Sequence, residues 1–170
     1  MNHKIYVSVV GVGLVGSEFI SQLLAVKASP FRLISLTSST RTLYNPDGLP
    51  AESQTWKAML ANSTQKADLQ LLTEKLSSLI SPSAKVVLVD NTASDNVAAM
   101  YPLWLRTGIN VITPNKKAFS GEQHLYEQIV SAAQQSGAKL FNESTVGAGL
   151  PIISTLKVVI SHFILAQLIY

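Results

Sequence analysis

Three glycines near the amino terminus have a spacing that could bind a phosphate-rich ligand. Gly11, Gly13 and Gly16 stand in the segment G-V-G-L-V-G, which matches the pattern GxGxxG. In this pattern the first glycine permits a tight turn, the second lets the backbone approach a pyrophosphate, and the third lets a helix pack closely on a strand. Free N–H groups at the start of that helix attract the phosphate oxygens. The motif therefore predicts a dinucleotide site, and a glycine-rich turn without a ligand is the alternative.

A stretch about 20 residues further on bears on which dinucleotide binds. NAD sites usually place Asp or Glu there, where the carboxylate binds the ribose 2′-hydroxyl. Here residues 36–41 read L-T-S-S-T-R, and no carboxylate follows before Asp47. Hydroxyl groups and the guanidinium of Arg41 suit a 2′-phosphate, because such hydrogen bonds are charge-assisted. We therefore expect NADP, with NAD as the alternative cofactor; the competing interpretation of Arg41 is a solvated loop side chain.

Polar segments follow three later apolar stretches of the chain. They read V-D-N-T-A-S at 89–94, T-P-N-K-K-A at 113–118 and N-E-S-T-V-G-A-G-L-P at 142–151. In open α/β sheets, ligands bind outside the carboxyl ends of the strands. Any one of these segments could be an ordinary loop, but together with the glycine motif they indicate a binding site at one edge of a sheet.

Alternating strand and helix patterns are the elements that would position these loops. Strands are predicted at residues 4–10, 31–36, 85–89, 109–112 and 138–141, and helices at 17–27, 55–62, 68–80, 96–107 and 122–136. Pro102 is expected to kink or split the helix that contains it. Such alternation is typical of βαβ units and a parallel sheet. We therefore predict an α/β fold, a Rossmann-like doubly wound parallel sheet of about five to six strands, formed by residues 1–150.

Composition excludes several other classes of protein. The chain has 170 residues and a formal charge of +3, and its basic residues are scattered, so a nucleic-acid-binding stripe is not expected. It has no cysteine, which excludes a disulfide scaffold and a cysteine nucleophile. The three histidines show no ligand spacing and are interpreted as structural or surface residues: His3, His124 and His162. Charged residues are 14%, against about 25% in a typical domain, so exposed apolar surface is expected.

Two apolar runs of the sequence could be a targeting segment or a membrane span. The apolar run 5–15 is interrupted by Ser8 and by glycines, and no cleavage site follows, so a secretory signal is not predicted. Residues 148–170 are the best candidate for a membrane span, but they contain Lys157 and His162, which are costly in hydrocarbon. We expect a cytoplasmic protein without a membrane partner; a membrane-tethered protein remains a distant alternative that depends on this tail.

Four motifs together resemble those of homoserine dehydrogenases, most closely the fungal form. They are G-V-G-L-V-G-S, V-D-N-T-A-S, T-P-N-K-K-A-F-S and N-E-S-T-V-G-A-G-L-P-I-I, and the resemblance extends over about residues 4–160. The last two are far more specific than the glycine motif. Members of that family are oxidoreductases that interconvert L-homoserine and L-aspartate 4-semialdehyde with NAD(P), in the pathway to threonine and methionine. The resemblance therefore implies the same activity for this protein.

The resemblance also implies roles for individual residues. Val12, Gly13, Leu14 and Val15 would line the cofactor phosphates, and Thr92 and Lys116 match positions that contact the nicotinamide end. Glu143, with the backbone carbonyls of Val146, Ala148 and Leu150, matches the family's site for a monovalent cation such as Na⁺. Carboxylate and carbonyl oxygens are suitable ligands for a hard cation. Solvated side chains are the competing interpretation of Lys116 and Glu143.

The sequence departs from the family after about Ile160, where it reads S-H-F-I-L-A-Q-L-I-Y. In relatives the chain continues into a substrate and dimerisation domain that holds the catalytic lysine, its neighbouring aspartate and the substrate-binding glutamate. We therefore expect the second domain to be absent, the chain to hold only the cofactor half, and turnover to be negligible. Residues 151–170 are predicted to begin a linking helix with a divergent apolar tail, which either packs back on the sheet or contacts a partner. The oligomeric state is left open.

Two other functions fit the same motifs to different degrees. A non-catalytic NADP-binding module would share every cofactor motif and differ only in lacking turnover. An aspartate-semialdehyde dehydrogenase would share the architecture, but it uses a cysteine nucleophile, and the chain has no cysteine.

Overall fold

A six-stranded sheet is the centre of the fold. The computed structural model describes residues 4–26, 30–50, 55–147 and 149–167, with side-chain surroundings described as far as residue 160. The strands are β1 Lys4–Val10, β2 Phe31–Thr37, β3 Thr42–Tyr44, β4 Ala84–Asp90, β5 Asn110–Ile112 and β6 Leu140–Phe141. Their order is β3-β2-β1-β4-β5-β6, so the chain reverses its direction of winding between β1 and β4. This reversal is the topological switch point where ligands bind in such sheets.

Helices and one 3₁₀ turn connect these strands. They are α1 Leu14–Ala25, α2 Thr55–Asn62, α3 Leu69–Ser77, α4 Asp95–Ala98, α5 Tyr101–Arg106, α6 Lys117–Ser120, α7 Gln123–Ser136, the turn Glu143–Thr145 and α8 Ile152–Gln167. The predicted helix at 96–107 is split into α4 and α5, and Pro102 lies in the first turn of α5. A proline is tolerated there because the amides of the first turn have no partner within the helix.

The predicted doubly wound parallel sheet is confirmed, with one antiparallel strand added at its edge. β1, β2, β4, β5 and β6 pair in parallel, but β3 pairs antiparallel with β2, through Ser35 with Tyr44 and Thr37 with Thr42. A tight turn between β2 and β3 reverses the chain. In this turn, the backbone N–H of Arg41 donates to Ser38 Oγ at 3.0 Å. Three residues between polar segments are too short to show a strand pattern, so β3 was not predicted.

Apolar residues fill the space on both faces of the sheet. On one face, Ile20 of α1 and Trp56 of α2 pack with Leu36 of β2. On the other, Leu76 of α3, Trp104 of α5 and Ile129 of α7 pack with β4 and β5. The sheet is therefore doubly wound as predicted, and both tryptophans lie in the core.

The last helix is apolar but is not buried along most of its described length. In α8, Leu156, Val158, Val159 and Ile160 are 43% to 58% exposed. The helix contacts the 3₁₀ turn. The low charge content predicted exposed apolar surface without giving its position, and α8 presents some of it. Among the helices that the structure describes, none has the length and apolar character needed to cross a bilayer.

Some predictions fall on residues that the structure does not describe. His3, the end of the first predicted helix at Lys27 and the metal candidate Ala148 lie outside the described residues, and so does the side chain of His162. His124 is exposed, as expected for a surface residue.

Candidate dinucleotide site

The glycine motif forms a tight turn between β1 and α1. Gly11 has a φ of +88°, a conformation that favours glycine, and its N–H donates to the carbonyl of Thr37 at 2.9 Å. A Cβ on Gly11 would lie 2.7 Å from Thr92 Cγ2. A Cβ on Gly16 would lie 1.9 Å from the carbonyl oxygen of Gly11. The first and third glycines are therefore required by the packing of this turn.

Gly13 differs from the other two because no contact or backbone angle in the described part of the chain requires a glycine there. It is exposed, its φ is −68° in the extended region, and a Cβ built on it meets no atom within 4 Å. It is the N-cap residue of α1, and neither a side-chain cap nor an acidic residue satisfies the first turn of that helix. The donor set therefore fits a diphosphate, which would occupy the open space above Gly13 and accept hydrogen bonds from these amides.

A cavity of about 620 Å³ opens beside this turn, at the switch point between β1 and β4. Its walls come from the glycine loop, from the end of β2 and from the segment after β4, and include Gly11, Val12, Gly13, Ser38, Asn91 and Thr92. This volume is within the usual range for ligand sites, about 300 to 1,000 Å³. The structure thus brings Thr92 together with the first glycines of the motif. Leu14 and Val15 are 93% and 61% exposed and do not line the cavity.

A second groove of about 430 Å³ adjoins the first and shares Val12 and Ser38 with it. Arg41 lines this groove, together with Lys57 of α2. The guanidinium of Arg41 donates to the carbonyl of Ala61, and to that of Ser63 at 3.0 Å, at the end of α2. Arg41 is therefore an anchored side chain rather than a freely solvated one. Lys57 was not predicted, because no local motif connects α2 with the glycine loop.

A buried carboxylate lies behind Thr92. Asp90 is the last residue of β4 and is fully buried. Its Oδ1 accepts from the backbone N–H of Thr92 at 2.7 Å, and its Oδ2 accepts from the Tyr101 hydroxyl at 2.5 Å and from Asn115 Nδ2 at 3.0 Å. Burial, and secondly the nearby carboxylate, raise the pKa of Tyr101 well above its ordinary value, so this hydroxyl keeps its proton. The sequence analysis assigned no individual role to Asp90, Tyr101 or Asn115, although a carboxylate that ends a continuous apolar strand is itself a signal.

Lys116 lies in a different place from Thr92. It is exposed, it is the N-cap residue of α6, and it lines a separate cavity of about 390 Å³ that also includes Val146 and Gly147. The neighbouring Lys117 forms an ion pair with Asp95 at 3.4 Å. The structure therefore does not bring Lys116 into the same cavity as the glycine loop.

The predicted cation ligands lie around the start of α8. The Glu143 carboxylate accepts from the backbone N–H of Ser154 at 3.1 and 3.2 Å, so it caps the first turn of this helix. The carbonyl of Leu150 accepts from Ile152 N–H at 2.8 Å, and Val146 is about half exposed. Within the described ranges, no three His, Cys, Asp or Glu side chains form a metal-binding group. One carboxylate with backbone carbonyls is a different kind of donor set, which suits a hard cation.

The sheet order, the glycine turn at the switch point and the uncapped start of α1 define a Rossmann-type dinucleotide-binding domain. A family model described as "Homoserine dehydrogenase, NAD binding domain" matches residues 11–143, and the chain belongs to this family. The resemblance seen in the four motifs is thereby confirmed.

Individual relatives agree with this assignment. The chain is 41% identical over 163 residues to the homoserine dehydrogenase of Emericella nidulans, covering 92% of this chain and 44% of that protein. A crystal structure of a protein of unknown function from Candida auris is 32% identical with a TM-score of 0.81, covering 94% of this chain and 44% of the other. A hyperthermophilic archaeal homoserine dehydrogenase mutant in complex with NADPH is 28% identical with a TM-score of 0.67, covering 90% and 48%. The chain spans about half the length of the curated relatives it matches.

Proposed function

We infer that this chain binds a nicotinamide dinucleotide across the glycine turn, as the cofactor-binding part of an oxidoreductase that interconverts L-homoserine and L-aspartate 4-semialdehyde. The observation that carries this inference is the open space above Gly13 at the uncapped start of α1, beside the cavity at the switch point. Membership of the family and the likeness to an NADPH-bound archaeal enzyme support it. When bound, the nicotinamide supplies a site for hydride transfer.

The cofactor's phosphates would be held by the backbone. The N–H groups of residues 12–16 surround the start of α1, where the helix dipole is positive. Among these residues, Leu14 and Val15 direct their side chains to solvent, and Gly16 lies buried beneath the turn. Each residue of the motif would therefore contribute through its main chain, and Gly11 and Gly16 would act by permitting the turn.

The groove beside this turn favours NADP over NAD. A 2′-phosphate in it would meet the cationic side chains of Arg41 and Lys57 and the hydroxyls of Ser38 and Thr40. Among the described residues that line this groove, none is an Asp or a Glu. A carboxylate binds a 2′-hydroxyl but repels a 2′-phosphate, so its absence from the lining and the two cations point the same way.

The nicotinamide end would reach Thr92 in the main cavity and Lys116 near the carboxyl ends of the later strands. The Thr92 hydroxyl accepts from the backbone N–H of Ser94 at 3.2 Å, which leaves its own proton free to donate to a ligand. Oxidation of an alcohol also requires a group that accepts a proton. Of the described residues that line the main cavity, none carries an Asp, Glu, His, Lys, Cys or Tyr side chain. We therefore expect the chain alone to bind cofactor without appreciable turnover.

The cation site is a separate part of this proposal. Glu143 and the carbonyls of Val146, Ala148 and Leu150 would hold a monovalent cation such as Na⁺ beside the nicotinamide end. In thermal unfolding, raising NaCl against choline chloride at constant ionic strength should raise the melting temperature of the chain but not that of Glu143→Ala. Equal responses of the two proteins would refute the assignment.

A non-catalytic NADP-sensing module is the second candidate, and it is favoured because the described lining of the main cavity has no proton-accepting side chain. Both candidates require cofactor binding, so fluorescence titration of the chain with NADPH and NADH is the primary test. We expect saturable binding that is lost when Gly13 is replaced by a larger residue. Binding that is unchanged in such a variant would place the cofactor elsewhere. Recovery of homoserine oxidation on adding the carboxyl-terminal half of a related enzyme would favour the dehydrogenase over the sensor.

A further inference from the structure

Asp90 is buried. In the described part of the chain, its carboxylate is held by hydrogen bonds and not by an ion pair. A buried charge is weak evidence for stability, because replacing such groups with packed apolar residues is often neutral or stabilising. Its position suggests a different role. It ends the central strand β4, at the edge of the sheet where the cofactor is expected.

The three donors to Asp90 come from three different segments. Thr92 N–H belongs to the loop after β4, the Tyr101 hydroxyl to α5, and Asn115 Nδ2 to the loop after β5. Tyr101 and Asn115 are themselves 0% and 2% exposed. A single carboxylate therefore joins two loops that reach the predicted nicotinamide end to a helix in the core.

Asn115 extends this connection in both directions. Its Nδ2 also donates to the carbonyl of Ser94 at 3.0 Å, and its Oδ1 accepts from the backbone N–H of Lys117 at 3.1 Å. Its own N–H donates to Thr113 Oγ1 at 2.8 Å. Asn115 thus holds the end of the loop that contains Thr92. It also holds the first residue of α6, next to Lys116.

We propose that Asp90 is a positioning residue for the nicotinamide end of the cofactor, acting through Thr92 and through Asn115. This inference rests on the proposed function. Only a carboxylate can accept from all three donors at once, because an amide at this position would present N–H groups to Asn115 and Tyr101. Asn115 cannot turn to accept without losing its bonds to Ser94 and Lys117.

The test compares two ligands on the full chain. NADPH contains the nicotinamide, whereas 2′-phospho-ADP-ribose contains the adenosine and diphosphate parts only. In Asp90→Asn, we expect NADPH to bind at least about 10-fold more weakly and 2′-phospho-ADP-ribose to change by less than about 2-fold. The emission of bound NADPH should also shift toward that of free NADPH, because the nicotinamide is no longer held in one environment.

Two further variants make this test decisive. Tyr101→Phe keeps the packed ring and removes one donor. It should therefore weaken the binding of NADPH by about 3-fold and leave the binding of 2′-phospho-ADP-ribose unchanged. If Asp90→Asn does not fold, this variant is the test. Thr73→Val is the matched control, because it removes the bond from Trp104 Nε1 to Thr73 Oγ1 at 2.8 Å in the same core, away from the cofactor loops. It should leave both affinities unchanged.

Several results would overturn the proposal. Equal weakening of both ligands in Asp90→Asn would show a general loss of structure, and unchanged binding of NADPH would show that the carboxylate is not needed. Equal affinity of the unaltered chain for the two ligands would mean that the nicotinamide makes no contact. Failure of the unaltered chain to bind either ligand would refute the dinucleotide site itself, a result distinguishable from the others.

Discussion

Gly16 packs directly against Gly11, so that a Cβ on Gly16 would lie 1.9 Å from the Gly11 carbonyl oxygen. This distance is far below any van der Waals contact, and the atom encountered is backbone. Gly13 stands between them in the motif, and a Cβ built on it would meet no atom within 4 Å. Gly11 and Gly16 are therefore required by the fold, whereas Gly13 is available to contact a ligand.

Gly16→Ala is expected to destabilise the chain by about 3 kcal/mol, because α1 must move away from the turn to admit the methyl group. Urea unfolding followed by circular dichroism measures the loss. Gly13→Ala is the matched control at the same helix end, and its cost should stay under about 1 kcal/mol. Similar costs for the two variants would contradict the described packing.

Gly13→Val is expected to fold normally and to lose NADPH binding by at least about 100-fold, because its side chain fills the space that the diphosphate needs. Fluorescence titration measures the affinity, and thermal unfolding checks the fold. Gly13→Ala should have an intermediate affinity, in keeping with its smaller side chain. Full affinity in the valine variant would exclude this turn as the phosphate site.

Lys57→Ala is expected to weaken NADPH by about 10-fold and NADH by less than about 2-fold, because only NADPH carries the 2′-phosphate. Arg41→Ala should show the same selectivity with some additional loss of stability, since Arg41 also binds carbonyls at the end of α2. Lys85→Ala, an exposed lysine on β4, removes a positive charge outside the groove and is the control. An equal effect on both cofactors would argue against a 2′-phosphate contact.

Tyr101 should make the chain less stable at alkaline pH. Its pKa is raised above the ordinary value of 10.0 by burial and by Asp90, so folding favours the protonated hydroxyl. The stabilisation from this group is fully present below pH 10 and is lost as the pH rises beyond it. Above about pH 10, the free energy of unfolding should fall more steeply with pH in the unaltered chain than in Tyr101→Phe. Burial also raises the pKa of Tyr44, but that residue is common to both proteins. Parallel curves would contradict the prediction.

The chain alone is expected to reduce NADP with homoserine at a negligible rate, because the residues described around its main cavity include no proton-accepting side chain. Absorbance at the NADPH band measures the rate, with the complete homoserine dehydrogenase of a fungal relative as the positive control. Robust homoserine-dependent reduction by the purified chain would show that the chemistry needs no further part of the enzyme.

The elements and the phosphate turn could be predicted because their signals are local. The strand at 4–10, the helix at 55–62 and the glycine turn each lie within a short window, where apolar periodicity and glycine spacing are informative. The pairing of β3 was missed because three residues carry little pattern of their own. Its position depends on the turn at Ser38 and Arg41.

The network around Asp90 could not be predicted from windows of sequence. Asn115 lies 25 residues beyond Asp90 in the chain and reaches it only because β4 and β5 are neighbours in the sheet. Lys57 joins the groove of Arg41 for a similar reason, since the packing of α2 brings it there. Contacts of this kind depend on tertiary structure, so the motifs identified the loops but not the residues that hold them.

The edges of the sheet bear on how this chain can associate with other copies. β6 has only two residues, and the outer side of β3 is already bonded, through the Thr42 N–H to the carbonyl of Gln65 at 2.9 Å. Short or covered edges offer little template for the addition of a foreign strand. Self-association through cross-β stacking is therefore disfavoured, and contact between apolar helical surfaces is the more accessible route to assembly.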